Sequence, residues 1–145
     1  MKINGTLMKS NFSNPVEAAI HLLNVAWDDN LPVNPIKIAN KIGIEVRSIS
    51  SDSYSGKAMY EGNKPIVEFN EKDTLSGKLF TISHEIGHHY LGHTEGEEQH
   101  FVPRIDEAEN FNVNVNDEYD RQANNFAMEL LMPYSVVDFL ITKKR

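Results

Sequence analysis

The chain contains no cysteine. Disulfides and thiolate metal sites are therefore excluded, and any metal must be held by His, Asp or Glu. No run of about 18 apolar residues occurs, so no segment reads as a membrane span. The opening stretch, MKINGTLMKSNFSN, lacks the apolar core and cleavage site of a signal peptide, and the expectation is a cytoplasmic protein. Basic residues are in deficit: 14 Lys and Arg against 21 Asp and Glu give a formal net charge of −7. The one basic cluster, Lys143, Lys144 and Arg145, sits at the end of the sequence and reads as a solvated tail. Direct binding to nucleic acid, which relies on clustered cations, is not expected.

What is present suits one α+β domain spanning 1–145, with 40% hydrophobic and 24% charged residues in 145 positions. Residues 1–13 are polar and aperiodic and read as a loose arm. Asn14-Pro15 reads as an N-cap followed by proline at the first helical position. Val16, Ala19, Ile20, Leu23, Ala26 and Trp27 then recur at helical spacing, until 28–32 breaks the pattern. Pro35 opens a shorter helix with Ile36, Ala39 and Ile42 on one face and Gly43 as its cap. Strands are expected at 44–50, 55–60 and 65–70, the last two joined by a turn at Glu61-Gly62-Asn63-Lys64. A helix starts near Asp73 or Thr74, buries Leu79, Ile82, Ile86 and Tyr90, and ends at Gly92. Residues 93–116 are acidic and mostly aperiodic, apart from the alternating Phe111-Asn112-Val113-Asn114-Val115, and read as a long loop or lid. A helix over 117–131 follows, stopped by Met132-Pro133, with a last helix over 134–141 packing back on the body.

Residues 84–88 read His-Glu-Ile-Gly-His. On a helix, positions i and i+4 share a face one turn apart, so His84 and His88 can bind one zinc ion together. Glu85 is offset by about 100°, which places it beside the metal. There it can take a proton from water activated by the ion and pass it to the leaving amine of a cleaved peptide bond. The motif is expected on the helix surface, away from the buried face. Gly87 implies the close approach of another backbone or a substrate.

Catalytic zinc usually has three protein ligands. The 117–131 helix is the natural donor of the third. Glu118, Gln122, Asn125 and Glu129 form a solvated polar face, while Tyr119, Ala123, Phe126, Ala127, Leu130 and Leu131 define the buried arc. Asp120 falls inside that arc, where a carboxylate needs a partner. It is the expected ligand, with Glu118 as runner-up; its plainer use is as a helix N-terminal charge. Asn124, one turn on, would orient a ligand. His93 is read either as a helix cap or as lining the site. His89, His21 and His100 are read as surface residues, Glu95, Glu97 and Glu98 as a solvated loop, and Met128 and Met132 as core. Tyr54, Tyr60, Tyr90 and Tyr119 are all candidate oxyanion donors.

Phe80-Thr81-Ile82-Ser83-His84-Glu85-Ile86-Gly87-His88 followed by Leu91-Gly92-His93 resembles the zinc helix of the ImmA/IrrE metallopeptidases. Asp120-Arg121-Gln122-Ala123-Asn124-Asn125-Phe126-Ala127, then Leu130-Leu131-Met132-Pro133, is similar to that family's second signature. Pro35-Ile36-Lys37-Ile38-Ala39 leading to Gly43-Ile44-Glu45-Val46 is similar upstream. The resemblance implies a compact zincin-like fold, a small three-stranded sheet packed on the zinc helix. It implies His84 and His88 as zinc ligands, Glu85 as catalytic and Asp120 as the third ligand. The family's usual residue at that last position is Glu. Asp, one methylene shorter, requires the helix to sit nearer the metal or weakens zinc binding. The resemblance also implies a protein substrate, such as a helix-turn-helix repressor of a phage, mobile-element or stress system. There is no room for a fused DNA-binding domain before the first helix, so the repressor would be a separate protein. Two readings follow: an endopeptidase that would hold an extended substrate along the 66–69 edge, or a zincin-fold module that binds a repressor without cutting it.

Overall fold

The computed structural model describes residues 2–3, 6–7, 14–103 and 117–143. Most of the expected arm over 1–13, positions 104–116 of the expected lid with their alternating stretch, and Lys144 and Arg145 lie outside the described residues. Within the arm, β1 (Lys2–Ile3) and β2 (Thr6–Leu7) form a small antiparallel pair.

Two asparagine–proline pairs start the first two helices, α1 (Pro15–Ala26) and α2 (Pro35–Lys41). Asn14 Oδ1 accepts from the backbone N–H of Val16 and Glu17 at 2.9 and 3.2 Å. Asn34 Oδ1 does the same for Ile36 and Lys37 at 3.0 and 3.3 Å. Proline at the first helical position has no N–H to satisfy, and each cap contributes about 1 kcal/mol. The buried face of α1 is rotated from the expected one. Ala18, Ala19, Leu22, Leu23 and Ala26 are buried, whereas Val16 and Ile20 are exposed. In α2 the buried residues are Pro35, Ile38 and Ala39, with Ile36 only half-buried.

The expected three strands are present as β3 (Glu45–Ile49), β4 (Tyr54–Glu61) and β5 (Lys64–Asn70). The turn between β4 and β5 is the expected one, with Glu61 opposite Lys64. A fourth strand, β6 (His100–Pro103), corrects the three-stranded expectation and lies inside the segment read as loop. It pairs with β4 because that strand would otherwise be a bare edge. The order is β3-β5-β4-β6, with β3 and β5 parallel and the other pairs antiparallel. The strand carrying 66–69 is therefore interior, its backbone groups bonded on both sides, and cannot receive an added strand.

Thr74 caps α3 (Leu75–Tyr90), accepting from Gly77 N–H at 3.2 Å. α4 (Asp117–Leu131) and α5 (Tyr134–Lys143) follow. α3 lies between the sheet and α4, and α1 packs on α4. The core joins α1 and α2 to Val67 of the sheet, Ile82, Ile86 and Tyr90 of α3, and Phe126 and Leu130 of α4. Each such side chain contributes roughly 1.5–3 kcal/mol by burial. α5 does not pack back as expected: Phe139, Leu140 and Ile141 are exposed. The apolar faces of α1, α3 and α4 already cover one another. Met128 and Met132, read as core, are exposed for the same reason. No helix among the described residues is long and apolar enough to cross a membrane.

Candidate metal centre

Every residue from Thr81 to Tyr90 is buried, which corrects the expectation that the His-Glu-Ile-Gly-His stretch lies on the helix surface. Period 3.6 identifies one buried face, but a helix between two layers buries both. Two glycines bring those layers close. A Cβ on Gly56 of β4 would meet Thr81 Cγ2 at 2.1 Å and Glu85 Oε2 at 3.1 Å. A Cβ on Gly87 would meet the Phe126 ring of α4 at 2.9 Å. The close approach anticipated at Gly87 is thus a side chain of α4, neither backbone nor substrate.

This packing brings His84, His88 and Asp120 together. His88 Nε2 lies 3.1 Å from His84 Nε2 and 3.2 Å from Asp120 Oδ1, and His84 Nε2 lies 3.5 Å from the same oxygen. Ligand atoms around a tetrahedral cation of zinc's size, at about 2.0–2.1 Å, are separated by about 3.3–3.4 Å. The three atoms therefore fit such an ion without rearrangement. His84, Glu85 and His88 also form a group whose ligand atoms all lie within 4.8 Å of one another. Glu85 is fully buried, and neither carboxylate oxygen has a hydrogen-bond partner. An unpaired buried carboxylate is costly, and a neighbouring cation is a physical remedy. Burial, then the charge of Asp120, raises the Glu85 carboxyl well above its ordinary value. Burial also pushes the His88 imidazole down to about 3, against the opposing pull of Asp120, which keeps it neutral and able to ligate. For Asp120 itself burial would raise the carboxyl, but the two imidazoles outweigh it and hold the group ionised. The Asp120 side chain is 28% exposed, against 5% and 1% for the histidines, so the cluster opens to solvent on the α4 side.

The surroundings orient the imidazoles. Asn124 Oδ1 lies 2.8 Å from His84 Nδ1, where the ring N–H donates to it. Gly92, at φ 82°, ends α3. Its N–H donates to the His89 carbonyl and that of His93 to the His88 carbonyl, at 3.1 and 2.8 Å. This left-handed glycine cap turns the chain back on the helix. His93 thereby sets its Nδ1 2.9 Å from His88 Nδ1, while its Nε2 faces Gln122 Oε1 at 2.9 Å. His93 thus closes the helix cap through its N–H and sets its ring against His88, so both uses expected of it are present. His100 of β6 stacks on His88 at 4.2 Å between centroids and donates from Nε2 to the His93 carbonyl at 2.8 Å.

A family model described as Peptidase_M78, IrrE N-terminal-like domain, matches residues 39–141. The chain belongs to this family. No curated protein matches it. Membership in a metallopeptidase family agrees with a cluster able to hold a metal. It also bears out the likeness read from the two signatures, since the matched span contains both.

Several residues of this Peptidase_M78 domain are not where the sequence reading put them. His89 is fully buried. Its Nε2 donates to the Ile66 carbonyl at 2.8 Å and its Nδ1 accepts from Thr94 Oγ1 at 2.9 Å, tying α3 to the sheet. His21 is half-buried against Tyr90, ring Nδ1 to hydroxyl at 2.7 Å. Glu118, the runner-up ligand, is exposed and accepts from Arg121 and Gln122 instead of facing the imidazoles. Of the four tyrosines, Tyr54 donates to Glu68, Tyr90 meets His21, and Tyr60 sets its ring edgewise on His89. Tyr119 stacks on His93 at 3.9 Å. Gln122 and His100, expected on the solvated surface, instead bond His93. Gln122 lies only 60° round the helix from Tyr119, at the edge of the buried arc, and that spacing was the available signal.

Proposed function

We propose that this chain is a zinc-dependent endopeptidase of zincin-like fold, with His84, His88 and Asp120 holding the ion and Glu85 as general base. The observation that carries this reading is the convergence of His84 Nε2, His88 Nε2 and Asp120 Oδ1 at 3.1–3.5 Å beside a buried Glu85 that has no partner. A zinc ion there would supply a Lewis acid that makes water nucleophilic near pH 7 and polarises the scissile carbonyl. Glu85, with high proton affinity and a dry setting, would take the proton of the attacking water and deliver it to the leaving amine. Asn124 holds the His84 ring. Asp120 reaches His88 Nε2 despite its shorter side chain because Gly87 admits Phe126 and draws α4 close. The substrate class is a cytoplasmic regulatory protein, such as a helix-turn-helix repressor of a phage or mobile element. Family likeness supports that choice.

The test pairs metal content with cleavage. Purified wild-type protein should carry about one zinc by atomic emission, and Asp120→Ala should lose most of it. Co-expression with the repressor encoded beside the gene should yield a defined cleavage product by mass spectrometry. Glu85→Gln should keep zinc and cut roughly 10²–10⁴-fold more slowly. Full cleavage by Glu85→Gln would remove the assigned base, and a metal-free wild type would remove the zinc reading.

A further inference from the structure

A chain of hydrogen bonds runs inward from the surface of α4. Glu118 is exposed and both its carboxylate oxygens accept from Arg121 Nη2, at 2.5 and 2.7 Å, so it stands as an acceptor. Gln122 Nε2 donates to Glu118 Oε2 at 3.0 Å. That bond fixes which way the Gln122 amide points, because a carboxylate cannot face the carbonyl end. Gln122 Oε1 is therefore the atom 2.9 Å from His93 Nε2, and an amide oxygen can only accept. His93 must carry its proton on Nε2, which leaves Nδ1 bare when the ring is neutral. Bare Nδ1 accepts across 2.9 Å from His88 Nδ1, so the His88 proton sits there. His88 Nε2 is left with a free lone pair, and it is the atom that faces His84 Nε2 and Asp120 Oδ1.

We infer that Gln122 and Glu118 are positioning residues for the metal centre: through His93 they lock His88 in the tautomer whose Nε2 is free to ligate. This inference rests on the zinc reading for its purpose, but the tautomer chain exists without metal. The geometry makes Gln122 the deciding link, since it joins a fixed acceptor outside to the imidazole pair inside. Tyr119, stacked flat on His93, and His100, bonded to the His93 carbonyl, hold the intermediary ring in place. Outer partners of this kind are worth about 10–100-fold in metal affinity.

The test uses full-length protein stripped of metal and nitrogen-15 NMR of the imidazoles. Wild type should show His93 protonated on Nε2 and His88 on Nδ1. Gln122→Leu should leave the fold intact by circular dichroism, because the residue is on the rim, yet give mixed tautomers at both rings. Its zinc affinity, read by competition with a chromophoric chelator, should fall about 10–100-fold. The exchange Glu118→Gln with Gln122→Glu keeps an acceptor facing His93 and a donor behind it. It should restore both single tautomers and most of the affinity. His88 protonated on Nε2 in wild type, or tautomers unchanged in Gln122→Leu, overturns the inference. A wild type that shows the tautomer chain but binds no zinc would instead overturn the metal reading, so the two failures are distinguishable.

Discussion

Lone pairs repel, and folded proteins seldom aim three of them at one point without something positive there. His84 Nε2, His88 Nε2 and Asp120 Oδ1 are so aimed, and the protons that could relieve the repulsion are directed outward to Asn124 and His93. This residue-level logic was legible in part. The i, i+4 histidines and the core-side Asp120 followed from helical angles. Gln122 did not, because a glutamine among Glu118, Asn125 and Glu129 has the pattern of a solvated face. Nothing in the residues beside the motif marks His89 as buried; only the fold brings the Ile66 carbonyl to its ring. One residue outside the site offers a clean test of the sheet. Tyr54 donates to Glu68 Oε1 at 2.9 Å between β4 and β5. Burial, then Glu68, pushes its phenol up to about 12 from 10.0. A phenol raised in the folded state stabilises fully below its unfolded value and loses that contribution as pH rises from 10 towards 12. Tyr54→Phe should cost below about 1 kcal/mol near neutral pH, the pair being partly solvated. The difference from wild type should vanish across that alkaline window in urea unfolding. A phenolate absorbance step for Tyr54 at pH 10 would contradict it.

Among the elements, α3 carries His84, Glu85 and His88, the group able to hold a metal, and it is clamped between two layers. The sequence showed its extent well: Thr74 at the start, Gly92 at the end, and a hydrophobic stripe of Ile82, Ile86 and Tyr90. It did not show the second buried face, since that face is made of Ser83, His84, Glu85 and His88 and carries no hydrophobic signal. β6 is hidden in the sequence for a related reason. Four residues in an acidic stretch give too short a pattern, and only the open edge of β4 makes them a strand. Gly87 measures how tight the clamp is. Alanine there would gain roughly 1 kcal/mol of helix propensity. Overpacking Phe126 typically costs 1–3 kcal/mol, and the Cβ approach of 2.9 Å puts Gly87→Ala at the upper end. A net loss of about 1–2 kcal/mol in chemical denaturation is expected, with weaker zinc binding because α4 must retreat and take Asp120 with it. Phe126→Leu made together with Gly87→Ala should be less damaging than the sum of the two. Strict additivity of the pair would show that the clamp is not at Gly87.

For the whole molecule, the centre is a joint between two packed helices, α3 and α4, rather than a feature of either. His84 and His88 belong to α3, which packs on the sheet, whereas Asp120 belongs to α4, which also carries α1. An ion bound across that joint binds only the folded arrangement, so it must stabilise the whole fold. At free zinc 100 times the dissociation constant, linkage supplies about 2.7 kcal/mol. For a chain of this size that is a rise in melting temperature of roughly 5–10 °C. Asp120→Ala should forfeit most of the rise while melting near the wild type when both are stripped of metal. Calcium should reproduce little of it, because a hard cation wants six to eight oxygen ligands and this centre offers two imidazoles. Thermal scans with zinc, with calcium and with a chelator, on both proteins, decide the matter. An equal zinc-induced rise in Asp120→Ala would mean that the ion sits elsewhere and that α4 supplies no ligand.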